Sequence, residues 1–334
     1  MKQPFSSLSS VLSAEELVDF AFRRASKSAQ KIPKNVPFFI KVRSKEKDRV
    51  RTAAKLISER LKRILKEMPR LEDIHPFYRE LADILVGVGK LKRCLGAVNW
   101  ASQMIDKLTR DYIHKLSKAK NISEAGNLRR EAYGRMASIL KQISNELETL
   151  REAQKLLVKL PSVNPEMPTI VVAGYTNVGK STFVKQVSSA KPKIASYPFT
   201  TKKIIIGHRR TKHGKIQIID TPGLLDRPLS ERNRIELQAI LALKYLAKAI
   251  IFIFDPTETC GYPLESQVNL YREIKQSLKK IPIVNVVNKA DIAKKEQLKR
   301  LKEILGEEFM IMSALKNSGV EEVLERTLSI LIEK

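Results

Sequence analysis

The sequence predicts two folds in succession: an all-α helical bundle over residues 1–160 and, beyond a linker at 161–168, an α/β phosphate-loop domain over 169–334 with a mixed, mostly parallel six-stranded sheet. Three observations carry this reading. Long stretches with apolar residues three and four apart fill the first half. Strand-like and helix-like segments alternate through the second. Between the first of those strands and its helix stands Gly174-Tyr175-Thr176-Asn177-Val178-Gly179-Lys180-Ser181, which fits G-x-x-x-x-G-K-[ST].

In the first half, Ser13-Ala14-Glu15-Glu16 reads as a capping box ahead of Leu17, Phe20 and Ala21 and predicts a helix over 14–30. Pro33 and Pro37 break the chain, and Lys31 to Phe39 reads as an extended connector. From Ser44 to Met68 the pattern is helical again, with Val50, Ala54, Ile57, Leu61, Ile64 and Leu65 on one face. The other face carries Lys45, Lys47, Arg49, Arg51, Lys55, Arg60, Lys62, Arg63 and Lys66, a candidate RNA-phosphate surface whose plain alternative is a solvated helix face. His75-Pro76-Phe77-Tyr78 opens a helix to about residue 86, with Pro76 suited to its first turn, and Gly87 and Gly89 end it. A longer helix follows over 91–119, in which Trp100 is expected to anchor the core, and a last one runs over 123–160.

Pro161, Pro165 and Pro168 fall within eight residues and cannot continue that helix. The predicted strands are 169–173, 203–208, 215–219, 249–254, 281–287 and 309–312. The second and third are joined by the short turn Arg209 to Gly214, which implies a hairpin and one antiparallel strand.

Charge bounds the partners. There are 62 Lys and Arg against 36 Asp and Glu, a net charge of +26, and both halves are basic: 34 against 18 before Pro161, 28 against 18 after it. This points to a polyanion, and charge spread over a large domain fits nucleic acid better than a lipid surface. No apolar run reaches the roughly 18–20 residues of a membrane helix, and the polar start has no secretory pattern. The expectation is a monomer without membrane contact. Cys94 and Cys260 are the only cysteines, which fits a reducing compartment and ordinary thiols. His75, His114, His208 and His213 lack metal-ligand spacing and read as structural or surface residues.

The chemistry lies at the strand ends. In the phosphate loop, backbone N–H groups converge on one point, Lys180 reaches the β and γ phosphates, Ser181 offers its hydroxyl to Mg²⁺, and Thr182 follows on the helix. Asp220-Thr221-Pro222-Gly223 places an Asp to hold Mg²⁺ through water and a Gly N–H to sense the γ-phosphate. Asn288-Lys289-Ala290-Asp291 reads guanine: Asp291 accepts from N1–H and the N2 amino group, a donor pair adenine lacks, while Asn288 braces the loop and the Lys289 stem covers the ring. Ser313-Ala314-Leu315 offers the Ala314 N–H to guanine O6. In Tyr197-Pro198-Phe199-Thr200-Thr201-Lys202, Thr201, or else Thr200, is placed to meet Mg²⁺ when the γ-phosphate is present, as a switch does. The catalytic set is Asn177, Lys180, Thr201 and Gly223. Ras-like enzymes orient the attacking water with a Gln just after D-x-x-G, where this chain has Leu224. Asn177 is a candidate ligand for K⁺ beside the phosphates; the alternative is that it only stabilises its loop.

Taken together, these motifs resemble the Obg-related branch of the translation-factor class of GTPases, which shares Y-x-F-T-T-K and a hydrophobic residue after D-T-P-G. A narrower resemblance rests on Asp220 to Leu229 (D-T-P-G-L-L-D-R-P-L), Glu231-Arg232-Asn233, Ile235 to Ile240, Cys260-Gly261-Tyr262 and Glu265-Ser266-Gln267. It extends into the helical half through Leu71 to Tyr78 (L-E-D-I-H-P-F-Y) and Leu128 to Met136 (L-R-R-E-A-Y-G-R-M). These stretches, from about residue 40 to 295, are similar to the nucleolar GTP-binding protein family called Nog. The resemblance implies a P-loop GTPase domain that uses GTP and Mg²⁺ and hydrolyses GTP slowly during assembly of the large ribosomal subunit. It also implies a helical domain set against ribosomal RNA and ribosomal proteins. Its expectation is a compact form without the C-terminal extension of eukaryotic members, cytoplasmic in an archaeal source and nucleolar in a eukaryotic one. A nucleotide-gated RNA-binding placeholder with incidental turnover is the other reading.

Overall fold

The computed structural model describes residues 3–27, 37–198, 203–212, 214–221 and 225–332. The chain separates into two compact units, one of Phe5–Asp73 and Leu85–Val158, the other of Met1–Pro4, Ile74–Ile84 and Lys159–Lys334. Residues 74–84 thus group with the α/β part, which a single cut near residue 160 does not anticipate.

The helical unit holds α1 (Ala14–Lys27), α2 (Phe38–Glu67), α4 (Val88–Lys118), α5 (Ile122–Gln142) and α6 (Ser144–Leu157). The capping box forms as expected, the Ser13 N–H donating to Glu16 at 2.8 Å and the Glu16 N–H to Ser13 Oγ at 3.1 Å. Leu17, Val50, Ile57, Leu61, Leu91, Val98, Ile105, Leu116, Met136, Leu140, Leu147 and Leu150 are buried and make the core. Each such side chain contributes about 1.5–3 kcal/mol on leaving water.

Three details differ from the sequence reading. Phe38 and Phe39 belong to α2, which begins directly after Pro37; the rest of the expected connector lies outside the described residues. The last predicted helix is two, broken at the buried Ile143, whose φ of −107° and ψ of 18° leave the helical region. Trp100 is 41% exposed and is not a core anchor. It follows the buried Val98 by two residues, about 200° further round α4, off the stripe that includes Leu91, Cys94, Val98 and Ile105.

In the second unit, β1 (Thr169–Ala173), β2 (Lys193–Ala195), β3 (Ile204–Thr211), β4 (Gly214–Asp220), β5 (Ala247–Phe254), β6 (Ile283–Val287) and β7 (Met310–Ile311) form one sheet in the order β2-β3-β4-β1-β5-β6-β7. The run from β4 to β7 is parallel; β3 is antiparallel to both β2 and β4 through the expected hairpin. The seventh strand, β2, is three residues long with Lys193 and Ile194 exposed, too short for a period to show. Helices α7 (Lys180–Val187), α8 (Arg234–Leu241), α9 (Leu264–Ser277), α10 (Lys295–Leu305) and α11 (Val320–Ile332) complete it, with α3 (Pro76–Leu85) from earlier in the chain.

Helix α3 buries Phe77, Tyr78, Leu81 and Ala82. The Tyr78 hydroxyl is within 2.9 Å of both the Pro161 and Val163 carbonyls and accepts from the Val163 N–H, and burial pushes its pKa up to about 12. The proline-rich segment is therefore a bound strap within this unit. Its Asn164 N–H also donates to Gln217 Oε1 on β4.

Candidate functional site

Strands β1, β4, β5 and β6 end on the same side of the sheet because they are parallel, so the residues just past them converge there. After β1 the chain turns at Gly174 with φ of +130°, where an added Cβ would lie 2.5 Å from the Ile253 carbonyl oxygen; only glycine fits. Asn177 takes a left-handed φ of +62°, which asparagine tolerates best among non-glycine residues. Val178 is buried behind the loop, and Thr176 and Thr182 are half-buried.

Lys180 opens α7. It is buried, and its Nζ donates to the Gly174 and Tyr175 carbonyls at 2.7 and 2.6 Å, so the ammonium lies inside its own loop. The Ser181 hydroxyl donates to Asp220 Oδ2 at 2.5 Å. Burial raises the Asp220 pKa against the opposing pull of the Ser181 bond, and its other oxygen, Oδ1, is buried with no hydrogen-bond partner among the described residues. An orphaned buried carboxylate oxygen beside a hydroxyl is the donor set a hard cation uses, so Mg²⁺ fits here. Thr201 and Gly223, with Thr200 and Leu224, lie outside the described residues.

On the base side, the Asn288 amide donates to the Val178 carbonyl at 2.7 Å and its Oδ1 accepts from the Ala314 N–H at 2.8 Å. One side chain thus ties the phosphate loop to the Ser313–Leu315 loop. The fit is close: a Cβ on Gly179 would stand 2.1 Å from Asn288 Nδ2. The Ala314 N–H expected to face guanine O6 is therefore directed at Asn288, while Leu315 is 79% exposed. Asp291 accepts from the Ser313 hydroxyl at 2.7 Å, and that bond first, with Lys316 nearby, holds its carboxyl below the ordinary range.

Lys289 has partners that the sequence reading does not foresee. With a left-handed φ of +62°, it sends Nζ to Asp255 Oδ2 at 2.6 Å and Thr259 Oγ1 at 2.7 Å. Asp255, just past β5, carries no expectation in the sequence reading, and of the loop after it only Cys260, Gly261 and Tyr262 enter, through family resemblance. The usable signal was an Asp directly after the apolar run Ala249 to Phe254, the strand-end position where the other motifs stand.

A family model for the NOG1 N-terminal helical domain matches residues 5–164, and one for nucleolar GTP-binding protein 1 (NOG1) matches residues 234–291. The chain belongs to the NOG1 family. Its similarity to nucleolar GTP-binding protein 1 of Drosophila melanogaster is 36% identity over 83% of this chain and 44% of that one. For the Saccharomyces cerevisiae protein of that name it is 32% over 97% and 51%. The chain thus spans about half the length of these NOG1 relatives. An uncharacterized protein of Methanocaldococcus jannaschii is 45% identical over 89% of this chain and 83% of that one. A crystal structure assigned to nucleolar GTP-binding protein 1 from Plasmodium falciparum aligns with a TM-score of 0.46 and 37% identity, covering 52% of this chain and 91% of that one. The matched NOG1 stretches include Asp255, Asn288, Lys289 and Asp291, and no described helix is long and apolar enough to cross a membrane.

Proposed function

We propose that this chain binds guanine nucleotides, hydrolyses GTP to GDP and phosphate with Mg²⁺, and acts in assembly of the large ribosomal subunit with its helical unit on ribosomal RNA. The observation that carries the nucleotide reading is Asn288, whose single amide joins Val178 of the phosphate loop to Ala314. NOG1 membership supports the same reading. Ser181 and Asp220 would hold Mg²⁺, which when bound offsets charge on the phosphate oxygens. Lys180 and the loop N–H groups orient the phosphates, and Asp291 reads the base.

With Leu224 where Ras-like enzymes have Gln, hydrolysis needs another contribution, and a K⁺ held by Asn177 beside the phosphates, in the place of an arginine finger, is the proposed one. The deciding experiment is GTP turnover by the purified protein in Na⁺ and in K⁺, with and without large-subunit particles. Acceleration by K⁺ or by particles, lost in Asn177→Ala for the K⁺ arm, is the expected result. Tight GTP binding without turnover in any condition would favour the placeholder reading, which the Leu224 position supports.

The RNA reading rests on charge. On α2, Lys45, Arg51, Lys55, Lys62, Arg63 and Lys66 are exposed. Several have acidic neighbours, as Lys62 has Asp106 at 2.7 Å and Arg63 has Glu67 at 2.6 Å. Exposed pairs of this kind are worth about 0–1 kcal/mol, so phosphates can replace them. Replacing Lys45, Lys55, Lys62 and Lys66 by Ala together should weaken binding to ribosomal RNA about tenfold or more and flatten its salt slope by about 0.7–0.9 per lost phosphate contact. An unchanged affinity and slope in a filter-binding titration would mark α2 as a solvated face. RNA binding that survives excess anionic vesicles is the matching expectation against a lipid partner.

A further inference from the structure

We infer that Asp255 is a positioning residue of the nucleotide site, and that the loop from Asp255 to Tyr262 forms a third wall of that site by fixing Lys289, its far end resting against the phosphate loop. The inference rests on the guanine reading above. Asp255 is wholly buried and fully used. Its Oδ1 accepts from the Thr257 N–H and hydroxyl at 3.0 and 2.5 Å; its Oδ2 accepts from the Thr259 hydroxyl at 3.1 Å, the Cys260 N–H at 2.8 Å and Lys289 Nζ at 2.6 Å. Burial alone would push this carboxyl up, but Lys289 and Thr257 outweigh it and hold the pKa below the usual range, so the carboxylate stays charged.

Gln267 on α9 secures the loop at both ends. Also wholly buried, it accepts from the Asp255 N–H at 2.8 Å and donates to the Asp255 and Tyr262 carbonyls at 3.0 and 2.9 Å. At the far end, the Tyr262 ring stacks on Tyr175 of the phosphate loop with centroids 4.1 Å apart. A buried carboxylate costs free energy unless paired, and this one is paired with the lysine of the base-reading motif. The consequence is steric and entropic. With its ammonium held by Asp255 and Thr259, the Lys289 stem cannot sample its rotamers, so a base meets a wall already ordered.

The test compares Asp255→Asn, Lys289→Ala and the double variant in two assays: dissociation of N-methylanthraniloyl-GDP, and affinity for inorganic pyrophosphate, which meets only the phosphate loop. Asp255→Asn should release the GDP analogue about tenfold faster, the loss of one hydrogen bond to a charged group, with pyrophosphate affinity within about twofold of wild type. The double variant should be no faster than Lys289→Ala, because the other bonds of Asp255 act on the base only through Lys289, and that pair is already lost in the single variant. Wild-type release, an equal loss of pyrophosphate affinity, or additive effects would overturn the inference. Thr259→Val, which removes the second oxygen on Lys289 together with one bond to Asp255 but keeps the Asp255–Lys289 pair, decides by the same criteria with a smaller effect if Asp255→Asn does not fold. Asp291→Asn separates the two levels. If it leaves guanine preference intact, the guanine reading fails; if it alters preference while Asp255→Asn behaves as wild type, only this inference fails.

Discussion

Lys180→Ala should lower the affinity for GTP and GDP by about 100- to 1000-fold in isothermal titration calorimetry, the cost of removing one partner of a buried charge pair. The side chain is buried at the first position of α7, with Nζ inside the turn that Gly174 makes possible. Because the ammonium is already held by the Gly174 and Tyr175 carbonyls, little of the roughly 1.5–2 kcal/mol of lysine rotamer freedom is left to lose on meeting a phosphate. The effect on the fold should be smaller. The variant removes a buried charge along with its bonds to the Gly174 and Tyr175 carbonyls, so the thermal midpoint should move by only a few degrees. Affinity within twofold of wild type would remove the phosphate-site assignment.

What the sequence made legible was local. Ser13 with Glu16, the phosphate loop between an apolar run and a helix, and the hairpin ending at Gly214 are short patterns whose physics is complete within a few residues. What it hid depends on distant partners. The place of α3 follows from the Tyr78 hydroxyl reaching carbonyls 83 and 85 positions away. The grip on Lys289 comes from Asp255, 34 residues earlier, just past a different strand. Local spacing says nothing of either. Trp100 fails for another reason: aromatic size suggests a core residue, but its angle on α4 decides otherwise. At the site, Asn288 acts as the brace expected of it, and the same contact redirects the Ala314 N–H, because one amide oxygen outcompetes open space for a buried donor.

Asp291→Asn should move nucleotide preference away from GTP by about 100-fold or more, toward xanthosine triphosphate, in competition binding. The ionised carboxylate only accepts, which matches the two donors that guanine presents at N1 and N2. Its orientation is set by the Ser313 hydroxyl at 2.7 Å, the same bond that holds its carboxyl below the ordinary range. Asparagine replaces one acceptor with an amide donor. That donor faces the guanine amino group unfavourably but pairs with the carbonyl xanthine carries at the same place. A site built to satisfy two polar groups rejects a mismatch by far more than an apolar pocket can, up to about 10⁴-fold, so a shift of 100-fold is within reach of one substitution. Ser313→Ala should cost only a few-fold, because it loosens Asp291 without changing what the carboxylate accepts. The ratio between these two variants separates recognition from orientation. Equal losses would mean that Asp291 serves Ser313 and its loop, and that the base is read elsewhere.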